Sequence, residues 1–391
     1  MRTALRMRLV APSATLGMAA KAADLRRQGK PILDLSAGEP DFNTPEHIKA
    51  AAKKAIDDNF TRYTPVPGTP LMRETIAGYF KKTYGVPAPK EAVMATNGGK
   101  QALYNLFMAV LNPGDEVLVP APYWVSYPDM LRLAGARPVP VPSSPEKGFL
   151  LSVEDLERAA TPATRALILN SPSNPTGAHY TMAALDAIMA WAVSRNVFIV
   201  SDEIYDRLVY EPAKPASMAG SFTLHPENVA VVGGVSKTFA MTGWRMGYCL
   251  AHPDIIRAMA TLQSQSTSNV CSVTQRAAYA ALSGPMDCVE DMRLAFRRRR
   301  DLALAIIGTW EKAVCPVPSG AFYLFPSLAG YYNDAVPNST ALSEALLTEA
   351  GVATVPGIAF GEDQCVRLSY ATGDEILEKA LTVMGNFLKK L

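Results

Sequence analysis

The chain has few cysteines and histidines, and their spacing excludes several kinds of site. Five cysteines are scattered over 391 residues and are never spaced as Cys-x-x-Cys, and four histidines are equally dispersed. A disulfide framework and a zinc site are therefore both disfavoured, and we expect no metal. Unpaired cysteines are typical of a reducing compartment, so we expect a cytoplasmic location.

The chain also lacks an excess of charge and long apolar runs. Its 38 basic and 36 acidic residues give a formal net charge of +2, too small a basic excess to favour binding to nucleic acid. The N-terminal arginines precede no unbroken apolar run, and no run of about 18 apolar residues occurs in the sequence. We therefore predict no export signal and no membrane span, and neither nucleic acid nor a membrane as a partner.

Two nucleotide-binding motifs are missing as well. Met94 stands where a G-x-x-x-x-G-K-[ST] motif needs its first glycine, and "GVSKT" lacks a glycine directly before Lys237. No G-x-G-x-x-G follows a predicted strand. A P-loop ATPase and a dinucleotide-binding protein are both disfavoured.

The composition that is present is that of a globular chain with about two domains. Hydrophobic residues make up 49% of the sequence and charged residues 19%. The predicted strands of the first domain are "EAVMAT", "DEVLVP", "ARPVPV", "RALILN", "NVFIVSD", "NVAVVGG" and "MGYCLA". Helical patterns separate them, and one helix with apolar residues from Leu103 to Leu111 ends at "NPGD". This alternation predicts an α/β fold of three layers around a mainly parallel seven-stranded sheet.

The pattern changes after Pro253 to longer helices, with strands predicted at "SGAFYLF" and "CVRLSYA". A C-terminal amphipathic helix places Leu377, Leu381, Met384 and Leu388 on one face. We predict a large domain over residues 45–285 and a smaller α+β domain formed by residues 1–44 and 286–391. The run "RRRR" at residues 297–300 is interpreted as a solvated helix face.

Polar side chains follow several predicted strands at the point where each strand ends. They are Asn97 to Lys100, Tyr123 and Trp124, Asn170 to Asn174, Asp202 and Tyr205, and Ser236 and Lys237. Ligands of open α/β sheets bind beyond the carboxyl ends of the strands, so we expect these residues to converge. Gly98 and Gly99 precede a clear helix and form either a phosphate cradle or a plain helix cap.

Two of these residues have unusual places for charged groups. Asp202 directly follows "FIV", and there it either meets a cation or caps the segment after it. Lys237 follows a strand that should be buried on both faces, which favours a lowered pKa and a nucleophilic amine over a surface lysine. A lysine for an imine, a carboxylate for a pyridinium nitrogen and a phosphate cradle together describe a pyridoxal-phosphate site.

The sequence resembles the class I aminotransferases of pyridoxal-phosphate fold type I, and among them it is most similar to the bacterial aspartate aminotransferases. The matching segments are "SAGEPDFNTP", "YTPVPGTPLMRETIA", "NGGKQALYN", "APYWVSYPDM", "NSPSNPTG", "SDEIYDRLVY", "GVSKTFAMTGWRMGY" and "VRLSYA". The resemblance implies amino-group transfer between L-aspartate and 2-oxoglutarate. Aromatic, alanine or prephenate substrates remain alternatives, since a fold does not decide the substrate.

The resemblance implies a role for each matched residue. Lys237 would hold the cofactor and move protons, Asp202 would pair with the pyridine nitrogen, and Tyr205 would contact the phenolic oxygen. The other implied cofactor residues are Asn174 at the same oxygen, Trp124 on the ring face, Gly98, Gly99, Lys100, Ser236 and Arg245 near the phosphate, and Tyr63 from a neighbouring subunit. The implied substrate residues are Arg367 for the α-carboxylate, Gly38, Trp124 and Asn174 in the same pocket, and Lys100 for a distal carboxylate. A homodimer with shared sites follows from this resemblance.

Two other interpretations use the same fold. One is a carbon–sulfur lyase, which the fold alone does not exclude. The other is a transcription regulator, which would need an added DNA-binding domain, and "SAGEP" begins at residue 36 and leaves no room for one. Ala11 stands where some related enzymes have a lysine, so we expect poor use of prephenate.

Overall fold

A computed structural model describes residues 2–12 and 14–391 of the chain. Its strands are β1 (Leu33–Asp34), β2 (Val93–Thr96), β3 (Glu116–Ala121), β4 (Arg137–Pro142), β5 (Thr164–Asn170), β6 (Phe198–Asp202), β7 (Val229–Gly234), β8 (Gly247–Leu250), β9 (Tyr323–Leu324), β10 (Val352–Ala353), β11 (Val355–Pro356) and β12 (Val366–Ser369). Its helices are α1 (Ala14–Arg27), α2 (Glu46–Asp57), α3 (Pro70–Tyr84), α4 (Gly99–Val110), α5 (Tyr127–Leu133), α6 (Val153–Ala159), α7 (Met182–Arg195), α8 (Ala219–Phe222), α9 (Pro253–Ser264), α10 (Ser272–Ser283), α11 (Asp287–Ile307), α12 (Ser339–Thr348) and α13 (Asp374–Leu388).

The large sheet of this described part has seven strands in the order β2-β8-β7-β6-β5-β3-β4. The pairs β7–β6, β6–β5, β5–β3 and β3–β4 are parallel, whereas β8 is antiparallel to both β2 and β7. Each of the seven strands predicted between residues 91 and 251 belongs to this sheet. The predicted mainly parallel α/β architecture is confirmed.

Alternate residues of the central strands pack into different apolar clusters on the two faces of the sheet. Ile199 and Val231 belong to one cluster, whereas Val200 and Val232 belong to the other. Every residue of β6 and β7 is buried. Strands covered on both faces need an almost continuous apolar sequence, which explains runs such as "FIV" and "VAVV".

Helix α4 begins where a glycine turn leaves the end of β2. Gly98 is its N-cap residue, with a φ of 91°, a left-handed backbone that favours glycine. A Cβ atom there would lie 2.4 Å from Nη2 of Arg245, so the turn also needs the missing side chain to let Arg245 approach. Leu103, Leu106 and Phe107 anchor the helix in the core, as the apolar spacing predicts.

The C-terminal third forms a smaller unit with its own strands. β12 pairs antiparallel with β9 and β11, and β1 pairs parallel with β10, so the N-terminal segment joins this unit. Leu377, Leu381, Met384 and Leu388 of α13 are each at most 1% exposed, which confirms the predicted apolar face. We propose residues 1–44 and 286–391 as the smaller domain and 45–285 as the larger one.

The prediction of a solvated face for the arginine run in α11 is wrong for half of it. Arg299 and Arg300 are only 6% and 7% exposed. Arg299 pairs with both oxygens of Asp41 at 2.8 and 2.9 Å and with Asp374, and Arg300 stacks on Tyr210. A run of four residues covers more than one turn of a helix, so it necessarily includes inward positions. Aspartates on other segments neutralise Arg299, and Asp301 of the same helix pairs with Arg300.

None of the helices in residues 2–12 and 14–391 is both long enough and apolar enough to cross a membrane.

Candidate active site

The carboxyl ends of the parallel strands surround an open cavity of about 630 Å³. β6 ends at Asp202, and the segments after β7 and β5 carry Lys237 and Asn174. Of the residues predicted for the site, those that line this cavity are Gly38, Gly99, Lys100, Trp124, Asn174, Asp202, Tyr205, Ser236, Lys237, Arg245 and Arg367. Segments from residue 15 to residue 367 thus supply one cavity, as expected for ligand binding at this edge of an α/β sheet.

Lys237 is the amine at the centre of this cavity. Burial lowers the pKa of Lys237 to about 8, with the charges of Arg367 and Arg245 acting in the same direction and Glu39 opposing them. Its Nζ donates to the carbonyl oxygen of Gly38 at 2.5 Å. At pH 8 about half of such an amine is neutral, compared with well under one in a hundred at the ordinary pKa of about 10.4. The predicted lowering of its pKa is confirmed.

Asp202 lies buried at the floor of the cavity and accepts hydrogen bonds on both oxygens. The Tyr127 hydroxyl donates to Oδ2 at 2.6 Å, and the Ile204 amide donates to Oδ1 at 3.3 Å. Burial raises the pKa of Asp202 to about 6, although the bond from Tyr127 lowers it. Asp202 caps no helix, because turns rather than a helix follow it. Tyr127, inside the quoted "APYWVSYPDM", is a site residue that the sequence reasoning missed.

The turn between β2 and α4 forms a cup lined by donors. Arg245 lies against Gly98 and donates through Nη2 to the carbonyl oxygen of Asn97 at 3.4 Å and through Nη1 to the carbonyl oxygen of Thr242 at 2.9 Å. The side-chain Nδ2 of Asn97 is buried and has no hydrogen-bond partner among the described residues. A guanidinium, an unused amide donor and a helix N-terminus fit a phosphate group.

Arg367 lies across the cavity and is completely buried. Its Nη1 donates to Oδ1 of Asn174 at 3.0 Å and its Nη2 to the carbonyl oxygen of Ser36 at 2.8 Å. Its Nε has no partner in the described part of the chain, and its guanidinium stacks 4.6 Å from the ring of Tyr323. Burial lowers the pKa of this arginine. A buried cation held only by neutral oxygens is a strong site for a carboxylate, which would offset its lost hydration.

Tyr323 links Tyr205 to this arginine, through its hydroxyl on one side and its ring on the other. The hydroxyls of Tyr205 and Tyr323 lie 2.9 Å apart, and burial raises the pKa of Tyr205 well above its usual range, so its proton is retained. Asn170 fixes the neighbouring loop, since its Oδ1 accepts from the Asn174 amide at 2.8 Å and its Nδ2 donates to the Asp202 carbonyl at 3.0 Å. The sequence predicts a strand at "SGAFYLF" but no role for Tyr323 within it.

Lys100 and Tyr63 are two predicted residues with different surroundings. Lys100 lies at the second position of α4, with Nζ 4.9 Å from the ring centre of Trp124, and burial followed by the charge of Arg245 lowers its pKa. Tyr63 does not line the cavity within a single chain, and it is 91% exposed. Its predicted role in a neighbouring subunit requires that exposure.

Together these donors fit pyridoxal phosphate. The cup formed by Asn97, Gly98 and Arg245 suits the phosphate, and buried Asp202 suits a protonated ring nitrogen. Lys237 suits the aldehyde because its pKa is low enough to make it a nucleophile. The residues present therefore meet the needs of the cofactor that the sequence implies.

Comparisons with known proteins support the same assignment. The family profile described as aminotransferase class I and II matches residues 30–383. The aspartate/prephenate aminotransferase of Cereibacter sphaeroides is 46% identical over 95% of this chain and 94% of its own, and the aspartate aminotransferase of Geobacillus stearothermophilus is 44% identical over 100% and 99%.

A solved structure, the aspartate aminotransferase of Thermus thermophilus with maleate, superposes with a TM-score of 0.94 at 44% identity, covering 100% of both chains. The family profile spans most of this chain, and the relatives match it over nearly its full length. The chain is therefore a member of the class I and II aminotransferase family, and it is an aminotransferase.

Proposed function

We propose that this enzyme is an aspartate aminotransferase, which reversibly moves the amino group of L-aspartate to 2-oxoglutarate and yields oxaloacetate and L-glutamate. The observation that carries the proposal is the buried Arg367, whose guanidinium donates only to neutral oxygens among the described residues and lines the same cavity as another cation, Lys100. Two cations that line one cavity can each bind one carboxylate of aspartate, of glutamate or of either 2-oxo acid. An apolar substrate would leave Lys100 without an anion.

The names of similar proteins support this substrate class. Relatives at 44–46% identity are named aspartate or aspartate/prephenate aminotransferases, and the Thermus thermophilus structure contains maleate, which is a dicarboxylate. Arg367 would bind the α-carboxylate, with Asn174 holding the guanidinium in place through the 3.0 Å bond. Lys100 would bind the distal carboxylate from the start of α4.

The cofactor we propose is pyridoxal 5′-phosphate, held by Lys237, Asp202 and the cup at Gly98. When bound, it supplies the electron sink that makes the Cα proton of the amino acid acidic. Asp202 would stabilise a proton on the ring nitrogen, and its hydrogen bond from Tyr127 favours the carboxylate form needed for this. Tyr205, Asn174 and Trp124 would orient the ring.

Lys237 would move the proton at the substrate Cα. With a pKa of about 8, its amine can accept this proton as a base and then donate it as an acid near neutral pH. The carbonyl of Gly38, 2.5 Å from Nζ, holds the amine at the cavity side where Arg367 would fix the substrate. Arg367 thus orients the substrate, and Lys237 performs the transfer.

We also propose a homodimer with shared sites. Tyr63 is 91% exposed, although the segment that carries it is held in place by hydrogen bonds to buried glutamines. Asn97 has an unused donor and, together with Arg245, lines a second open cavity of about 590 Å³. A second copy would supply Tyr63 to this phosphate region. Light scattering should give twice the 42.0 kDa chain mass. Hybrids of an inactive Tyr63 variant and an inactive Lys237 variant should regain activity, because one of the two sites then carries neither change.

A panel of amino donors with 2-oxoglutarate tests the substrate. We expect aspartate to give the highest kcat/KM, with alanine and aromatic amino acids as the competing donors. In a separate arm prephenate, a 2-oxo acid, replaces 2-oxoglutarate as the acceptor. Each donor alone should also change the absorbance of the bound cofactor, because the first half of the reaction needs no acceptor. A higher kcat/KM for alanine or an aromatic amino acid than for aspartate would refute the dicarboxylate proposal. An unchanged cofactor spectrum with every donor would refute aminotransfer itself.

A further inference from the structure

The segment that carries Tyr63 is fixed without any secondary structure of its own. Residues 60–69 between α2 and α3 contain no helix or strand, and Tyr63 at their exposed side has 91% of its surface accessible. A free loop would lose considerable conformational entropy each time its tyrosine docked into another molecule. A loop that presents a side chain to a second copy therefore gains from being held rigid in advance.

Gln275 holds this segment at two points. Its Oε1 accepts from the Thr69 amide at 2.9 Å, and its Nε2 donates to the Thr64 hydroxyl and to the Val270 carbonyl, both at 2.9 Å. Gln275 is 2% exposed, and these three bonds use both donors of its buried amide and give its oxygen one donor. Thr64 is adjacent to Tyr63, and Thr69 caps α3.

Gln263 provides a second anchor of a different kind. Its Nε2 donates to the Val66 carbonyl at 3.0 Å and to the Ala95 carbonyl at 3.2 Å, and its Oε1 accepts from Asn105 at 3.0 Å. Ala95 lies in β2, which leads to the chain's own phosphate cup, and Asn105 lies in α4. The side chain of Gln263 therefore bonds both the Tyr63 segment and elements of its own site, whereas the side-chain hydrogen bonds of Gln275 go to the segment and to Val270.

We propose that Gln275 is a positioning residue that fixes Tyr63 for the phosphate site of the second copy and not for the site of its own chain. This inference rests on the shared site proposed above. Neither glutamine faces the 630 Å³ cavity of its own chain, so a role there through direct contact does not arise. The lesion in a Gln275 variant should consequently appear in the partner subunit.

Hybrid dimers separate the two locations. One subunit carries Lys237→Ala, so that only the other subunit can bind the cofactor covalently, and Gln275→Met is placed either on the Lys237→Ala subunit or on the intact one. The readout is the fraction of Lys237 that carries cofactor after borohydride reduction, measured by mass spectrometry over a range of cofactor concentrations. With Gln275→Met on the Lys237→Ala subunit, the half-saturating concentration should rise about 3- to 10-fold, the effect of losing the one hydrogen bond that a well-positioned Tyr63 would give the phosphate.

The same substitution on the intact subunit should change that concentration less than about two-fold, since residues that share no contact with a site usually alter its binding energy by only a few tenths of a kcal/mol. Gln364→Met, at an exposed glutamine, is the matched control and should have no effect in either arrangement. Thr64→Val removes the partner hydroxyl with little change in volume, so it repeats the test if Gln275→Met fails to fold. Gln263→Met should raise the half-saturating concentration in both arrangements, because Gln263 also bonds to β2 and α4.

Tyr63→Phe in the two arrangements distinguishes this inference from the shared site beneath it. If Tyr63→Phe acts from the Lys237→Ala subunit and Gln275→Met and Thr64→Val do not, the positioning role is refuted and the shared site stands. If Tyr63→Phe acts only from the intact subunit, the shared site is refuted and the inference falls with it. An equal loss from Gln275→Met in both arrangements would show a general structural role instead.

Discussion

Tyr127→Phe should raise the pKa of Asp202, the buried carboxylate proposed to pair with the cofactor ring. The substitution removes only the hydroxyl that donates to Oδ2 of Asp202 at 2.6 Å and keeps the ring, which packs edge-on against Trp124. Burial has already raised the pKa of Asp202 to about 6, and the bond from Tyr127 opposes that rise. Without the bond, the carboxylate form loses a direct stabilising contact while the protonated form loses little.

The magnitude follows from the charge on the acceptor. A hydrogen bond to a charged group contributes about 1.5–3 kcal/mol, and one pKa unit corresponds to about 1.4 kcal/mol, so the pKa should rise by roughly one to two units. At pH 7 the ionised fraction of Asp202 would fall from about nine-tenths to between about one-half and one-tenth. The sign is fixed, because removing a donor from a carboxylate disfavours its charged form.

The affinity of the cofactor-free protein for pyridoxal phosphate, measured from about pH 5 to pH 9, reports this change. Binding needs the ionised carboxylate, so affinity falls as the pH falls through the pKa of Asp202, and the acid limb should move upward by roughly one to two pH units in the variant. The cofactor phosphate titrates near pH 6 in both proteins, so the difference between them is the result. Tyr180→Phe, at another buried tyrosine, is the control. An unmoved acid limb in Tyr127→Phe would refute the reasoning.

Three further predictions concern the cup and the two lysines. Gly98→Ala should raise the Kd for cofactor at least about 10-fold, because its Cβ would lie 2.4 Å from Nη2 of Arg245. The control is Gly114→Ala, where φ is a similar 92° but the space is open, so only stability should fall. Equal Kd values for the two variants would contradict the steric argument. Lys100→Ala should lower kcat/KM for aspartate by about 10- to 100-fold and spare alanine, and an equal loss on both would place Lys100 in the cofactor cup. Lys237→Ala should abolish turnover while retaining part of the cofactor affinity in a binding titration, and near-normal turnover would refute the mechanism.

The sequence predicts the sheet well because its strands carry a simple signal. A parallel sheet covered on both faces requires short apolar runs, and runs such as "FIV" and "VAVV" bounded by polar residues indicate strands of this kind. The polar residues after those runs, Asp202 and Lys237 above all, could be identified for the same reason, since the carboxyl ends of strands meet at one edge. Local rules therefore suffice where one strand and its end define the feature.

Features that depend on contacts between distant segments could not be predicted in this way. Tyr127 bonds to Asp202 across 75 residues, and Tyr323 meets Tyr205 across 118. A tyrosine in an apolar segment is predicted to be a core residue, and only the partner of its hydroxyl shows another role. The prediction that Arg299 is solvated is wrong for the same reason. Asp41 lies 258 residues away, and only the fold shows that it neutralises the buried charge of Arg299.

The antiparallel strand β8 determines when the cofactor cup can form during synthesis. β2 lies at the edge of the sheet and pairs only with β8 there, although more than 150 residues separate the partners Thr96 and Gly247. Closing so long a loop is slow and costs entropy that must be regained by later contacts. A nascent chain that has emerged only as far as β7 can pair the other five strands, but its Gly98 turn still lacks Arg245. In the proposed site, the phosphate cup is therefore complete only after this last strand of the large sheet has paired.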